Sequence, residues 1–172
     1  MEACFRHAYL PAVVGQRSRW PLPRASVCRR GGGNLSLQSA QGALRKGLFA
    51  CLAGDATLAG ILGGGRLFDQ APRGQSFPYL LLQLVDSKPL LALAEEGLEH
   101  GLRLSVFSRN PNRDQAAEAA GRAADVLIHG PVPIDGHRLV NLTIGAVVSR
   151  AMRDGRGFQA ECILRAVTEP LT

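Results

Sequence analysis

The densest run of titratable side chains is Glu95, Glu96, Glu99 and His100, three carboxylates and an imidazole within six consecutive positions. Such groups are the material of a divalent-metal site or of a general acid/base pair. A small hydrolytic or metal-binding enzyme using this cluster is therefore one reading of the chain. The competing reading is a solvated loop, because the run borders Gly97 and leads into an alternating segment, where charge ordinarily faces water. No Gly-x-Ser-x-Gly elbow and no His-Glu-x-x-His is present. Gly63-Gly64-Gly65 is not followed by Gly-Lys-Ser/Thr, so it reads as a helix cap and turn rather than a phosphate cradle. His137 follows Asp135-Gly136, and a hydrogen bond to that turn is its expected role.

Cysteine chemistry is equally sparse. Cys4, Cys28, Cys51 and Cys162 make no CxxC pair and stand at no metal-ligand spacing from His7, His100, His129 or His137. Cys51 falls on the apolar side of an expected helix and Cys162 inside an expected strand, where a free thiol behaves as a small hydrophobe. A reduced protein without cofactor or metal is expected. Asn34-Leu35-Ser36 and Asn141-Leu142-Thr143 fit the glycosylation sequon, but no secretory segment supports that use.

The elements that would position these residues begin late. Residues 1–36 carry six arginines against Glu2, whereas the remaining residues carry 14 Lys/Arg against 13 Asp/Glu. The formal charge of +6 is thus concentrated in the leader, and the nearly neutral body is not expected to bind nucleic acid or a membrane. Pro11, Pro21, Pro23 and Gly31-Gly32-Gly33 interrupt every apolar stretch of the leader. Residues 1–34 are expected to be a disordered basic leader, an over-extended start site among its origins. A transit peptide or a nucleic-acid-binding arm is the alternative. No stretch reaches the length of a membrane-spanning helix.

From Leu37 to Leu52 the apolar residues recur at three- and four-residue steps, which predicts a helix, and Asp55 is placed to cap a second short one. Arg66 to Phe68 reads as a short strand. Tyr79 to Val85 is apolar on both faces and is expected inside a sheet, covered on both sides. Residues 86–97 read either as a continued strand or as a loop, with Pro89 against a central position. Leu98 to Ser108 alternates. Asn110-Pro111-Asn112 reads as a stop and cap for an alanine-striped helix that ends at His129-Gly130-Pro131. His137–Ala151 and Gly157–Thr168 are long strands joined through Asp154-Gly155, a strong hairpin signal. The order predicts an α+β domain over residues 35–172, a mainly antiparallel sheet with helices packed on one face and a long C-terminal β-hairpin.

Strands of that length reach roughly 40 Å at ~3.3 Å per residue, more than so small a body covers. The hairpin is therefore expected to be covered by a partner. Arg150, Arg153 and Arg156 around Asp154 give its tip a positive charge suited to an acidic neighbour, and these four residues are the candidate subunit or partner interface. A solvated basic turn is the alternative.

Several segments in order carry a further likeness: Leu44 through Leu62 with Gly-Asp-Ala-Thr-Leu-Ala at its centre, Gly64 to Asp69, Ala71-Pro72, and Phe77-Pro78-Tyr79. Glu96 through Ser108, Gly136 through Leu142 and Leu164 through Pro170 continue it. Together they resemble the tail-completion, or tail-terminator, family of long-tailed bacteriophages and gene transfer agents, long filed as a domain of unknown function. The resemblance implies a structural subunit without enzyme activity or cofactor, assembled as a ring, typically a hexamer, on the head-proximal end of the tail tube. Its implied partners are further copies of itself, the tail-tube protein and the head-side connector. Its implied place is the tail-neck region of a virion or phage-like particle assembled in the bacterial cytoplasm. The first 34 residues have no counterpart in that pattern.

Overall fold

The computed structural model describes residues 33–90 and 97–171, with only the backbone of 33–36 and 38. The expectations placed on residues 1–32, on Cys4 and Cys28, and on Glu95 and Glu96 lie outside the described residues.

The elements follow in the order α1 (Gly33–Ala53), α2 (Ala56–Leu62), β1 (Leu67–Phe68), β2 (Tyr79–Pro89), β3 (Leu98–Ser108), α3 (Asp114–His129), β4 (His137–Ala151) and β5 (Phe158–Pro170). Asp55 caps α2 as its position predicts, accepting a hydrogen bond from the Leu58 amide at 2.7 Å. Gly63 ends the helix in the left-handed conformation, φ 69°. The first helix begins at Gly33, ahead of its expected start. The cap expected from Asn110-Pro111-Asn112 takes another form: Arg113 occupies the cap position without a side-chain bond. Asn110 and Asn112 instead accept the Asn112 and Asp114 amides in successive tight turns.

The five strands lie in the order β1-β2-β3-β5-β4, with β1 parallel to β2 and every other pair antiparallel. Alternation sorts their side chains onto two unlike faces. Leu80, Leu82, Leu102, Leu104, Val106, Ala160, Cys162, Leu164 and Ala166 are buried beneath the helices with Leu44, Leu48, Leu52, Leu58 and Leu127. Alanines at 116, 119, 120, 123 and 124 form the buried side of α3, small enough to seat the helix close to the sheet. A close approach at α1 also excludes a side chain: a Cβ on Gly47 would collide with the Pro133 carbonyl.

Among the described residues, no helix covers the opposite face. Tyr79, Leu81 and Gln83 are half-buried there, and Val85, Val148 and Ile163 are more than half exposed. The expectation that β2 is covered on both sides is corrected: its second face is apolar but open, and past Leu81 no strand among the described residues flanks it opposite β3. The strand continues to Pro89, so residues 86–89 belong to it. The expectation of an uncovered hairpin holds for one strand only. β5 pairs with β3 from Phe158 to Thr168 and is interior, whereas β4, 15 residues long, forms the outer edge.

Gly157 joins the hairpin turn to β5 at φ 125°, its hydrogen facing the Ser108 carbonyl closely enough that a Cβ would collide. Gly157→Ala is expected to lose about 2 kcal/mol or more of unfolding free energy by chemical denaturation, because strain and collision add.

Candidate interaction surface

The hairpin tip is built by its turn. Met152 and Gly157 close it through a backbone bond of 2.9 Å, Gly155 takes the positive φ that Asp-Gly sequences favour, and Asp154 accepts the Arg156 amide at 3.0 Å. That amide, followed by the Arg109 guanidinium, holds the Asp154 carboxyl below the usual carboxylate range.

Arg109, just beyond β3, fastens the tip to the body. One of its terminal nitrogens lies 2.8 Å from Asp154 Oδ2 and donates to the Arg156 carbonyl at 2.7 Å, while the guanidinium lies 4.5 Å from the Phe77 ring centre. Phe77 packs on Tyr79, which stacks on Phe107 with centroids 5.0 Å apart and meets Phe68 edge-on. Burial pushes the Tyr79 hydroxyl up from its ordinary pKa. Beside this aromatic cluster a hollow of about 460 Å³ is lined by Phe107, Arg150, Met152, Arg153, Asp154 and Gln159.

Of the four residues the sequence singled out, the structure brings all to this end of the sheet but gives them unlike surroundings. Arg150 donates to Glu161 at 2.5 Å, and Asp154 is held by Arg109. Arg153 and Arg156 are exposed. Arg109 and the aromatic cluster were not singled out, although the antiparallel pairing of β2 with β3 places Tyr79 opposite Phe107. Further along the open face, Glu161 joins Arg103 and Arg150, and Glu99 joins Lys88 at 3.5 Å and Arg165 at 3.8 Å. Each carboxylate thus sits between two cations, and the face keeps a positive excess.

The imagined catalytic cluster does not assemble among the described residues. Glu99 lies on the open face and its neighbour His100 on the helix-covered face, so the two address different surroundings. His100 is fully buried, with Nδ1 2.7 Å from Ser87 Oγ and Nε2 2.8 Å from Thr168 Oγ1. Burial holds its pKa below the ordinary value; nearby His137 acts in the same direction and Asp86 opposes it. His137 Nδ1 approaches the Asp135 carbonyl at 3.2 Å, the turn contact expected of it. Cys51 and Cys162 are free thiols, each pushed up by burial. No group of three His, Cys, Asp or Glu among the described residues is placed to hold a metal ion, and no described helix is long and apolar enough to cross a membrane.

Among the described residues, the five-stranded sheet thus combines one face without helices, a long outer strand and a basic hairpin tip. The family described as tail completion protein gp17 matches residues 46–169, well over half of the chain. The chain belongs to the tail completion protein gp17 family. Its role is a structural one, in completing a tail. Among solved structures, a chain from the virion of a native gene transfer agent (GTA) particle is similar at 24% identity and a TM-score of 0.68, over 76% of this chain and 97% of that one. The gp17 protein of bacteriophage SPP1 is similar at 16% identity and a TM-score of 0.52, over 82% of this chain and 97% of that one. At these identities the likeness shows a shared fold. No curated protein sequence matches. The family match begins within α1 and ends within β5.

The depressed pKa of His100 sets the sign of one pH dependence. The unfolded chain, with histidine near its ordinary ~6.5, binds the proton more readily than the folded one. Stability is therefore full above that pH and falls as pH drops through the window below it, by up to about 1.4 kcal/mol per pH unit. Denaturation from pH 7 to pH 5 is expected to show this loss in the parent and a shallower one in His100→Gln. Equal slopes would remove His100 as the cause.

Proposed function

We propose that this tail completion protein acts by position rather than by chemistry. Copies close into a ring, a hexamer by the family resemblance, that ends the tail tube and presents a surface to the head-side connector. Its place is then the tail-neck region of a phage or gene-transfer-agent particle. The observation that carries the reading is the open sheet face, where Val85, Val148 and Ile163 are 57%, 57% and 56% exposed with no covering layer among the described residues. An apolar face of this kind marks a surface that another protein covers. The family supplies the setting, and the separation of Glu99 from His100 takes away the strongest reason to look for catalysis.

Within this reading the hairpin tip, Arg150, Arg153, Asp154 and Arg156, is a contact for an acidic partner surface. Asp154 and Arg150 shape the tip through Arg109 and Glu161, leaving Arg153 and Arg156 outward to meet the partner. The aromatic residues beside them supply the large, rigid anchors that dominate interface energies.

Native mass spectrometry and light scattering on the full chain are expected to show a closed oligomer that binds tail-tube protein. A strict monomer at high concentration with no such binding would overturn the proposal. Arg153→Glu should weaken partner binding by roughly tenfold at low salt, and the difference should shrink as salt is added. Unchanged binding at low salt would remove the tip from the interface.

A further inference from the structure

We infer that β4 is the strand by which one copy joins the next, pairing antiparallel with residues 82–89 of β2 in its neighbour so that the sheet continues from subunit to subunit. This rests on the ring reading above and names the contact that would build it.

The first observation is the composition of the outer strand. Between Arg138 and Arg150, residues 139–149 contain no charge and no proline. Val140, Val147 and Val148 are 47%, 41% and 57% exposed. Soluble proteins ordinarily protect an edge with lysine, proline, a bulge or a short strand, because a row of unpaired amides and carbonyls is a template for another chain. This edge is long, uncharged and rich in β-branched residues. Its irregularities, at Val140 and at Gly145-Ala146, leave Asn141–Ile144 as a regular run between them.

The second observation is that the sheet has a matching edge. β1 pairs with β2 only at Leu80 and Leu81, so from Leu82 onward β2 has no strand beside it opposite β3 among the described residues. Through the antiparallel chain of β2, β3, β5 and β4, the two free edges run in opposite directions. A neighbour's β2 laid beside β4 with its helices on the same side is therefore antiparallel to it, and the alternation of the two faces carries over. A ring needs two different surfaces on each copy, since its contacts run head to tail. Pairing of β4 with β4 uses one surface twice, stops at two copies and leaves residues 82–89 unfilled.

Hydrogen exchange read by mass spectrometry, on assembled rings and on subunits dissociated by dilution, tests the pairing directly. Peptides covering 139–149 and 82–89 should exchange roughly tenfold or more slowly in the ring. Val140→Lys and Val85→Lys place a charge on each exposed edge. Each should keep the melting temperature of the dissociated subunit and raise the concentration needed for assembly by roughly tenfold or more. Where a lysine variant loses its fold, the exchange of the parent protein decides. Rings in which both edges exchange as fast as in free subunits overturn the inference and leave the ring standing. Dimers protected at 139–149 alone overturn it in favour of two-fold pairing. Absence of any oligomer overturns the ring and the inference together.

Discussion

The close seating of α3 on the sheet is the constraint from which the other features follow. Ala116, Ala119, Ala120, Ala123 and Ala124 face strands whose own buried residues include Ala160, Cys162 and Ala166. Small residues on both sides bring helix and sheet together, and any larger side chain there would push the layers apart and open voids elsewhere. With α3 so placed it touches β3, β5 and β4, while α1 touches β2. One layer of helices is thus fully used in covering one face. Among the described residues nothing comparable covers the other, and the exposure of Val147 marks a stretch of β4 that the helices leave uncovered.

A face left open must tolerate water until something covers it, and the charges on this one are arranged to that end. Glu161 and Glu99 each stand between two cations drawn from different strands. Exposed pairs of this kind add little stability singly. Their effect is to hold the long side chains of Arg103, Arg150, Lys88 and Arg165 across neighbouring strands. The aromatic cluster around Tyr79 is treated similarly. Arg109 covers the Phe77 ring and fastens the hairpin turn, so one residue beyond β3 links the aromatic end of the face to the tip of the long hairpin.

How much of this was legible depended on which physical signal a segment carried. Leu98–Ser108 and His137–Ala151 were readable to the residue, because half-covered strands alternate and their ends carry turn chemistry at Asn110-Pro111 and Asp154-Gly155. The Asp55 cap was readable for the same local reason. β2 misled because a strand apolar on both faces has one hydrophobic pattern whether its second face is covered by its own chain or by another. The hairpin misled in part: length alone does not say which of two long strands becomes interior. That choice is made by the pairing of β5 with β3, a contact between segments far apart in sequence. Arg109 was invisible because its partners, Phe77, Asp154 and Arg156, converge only after three separate segments have folded.

The glutamate and histidine run shows why a structural protein resists the search for a site. Glu99 and His100 are adjacent in sequence, which in a helix or loop would keep them within reach of one ligand. In a strand it sends them to opposite faces. There His100 becomes a buried link between Ser87 and Thr168, tying β2 and β5 to β3, and Glu99 becomes a counterion on the open side. The sheet thereby turns Glu99 and His100, the described part of that run, into fasteners. Among the described residues it leaves strand edge and apolar surface open along β4 and β2, groups of the kind that another polypeptide, rather than a small substrate, is suited to meet. On the edge-to-edge pairing proposed above, specificity lies in the direction, composition and spacing of those two edges.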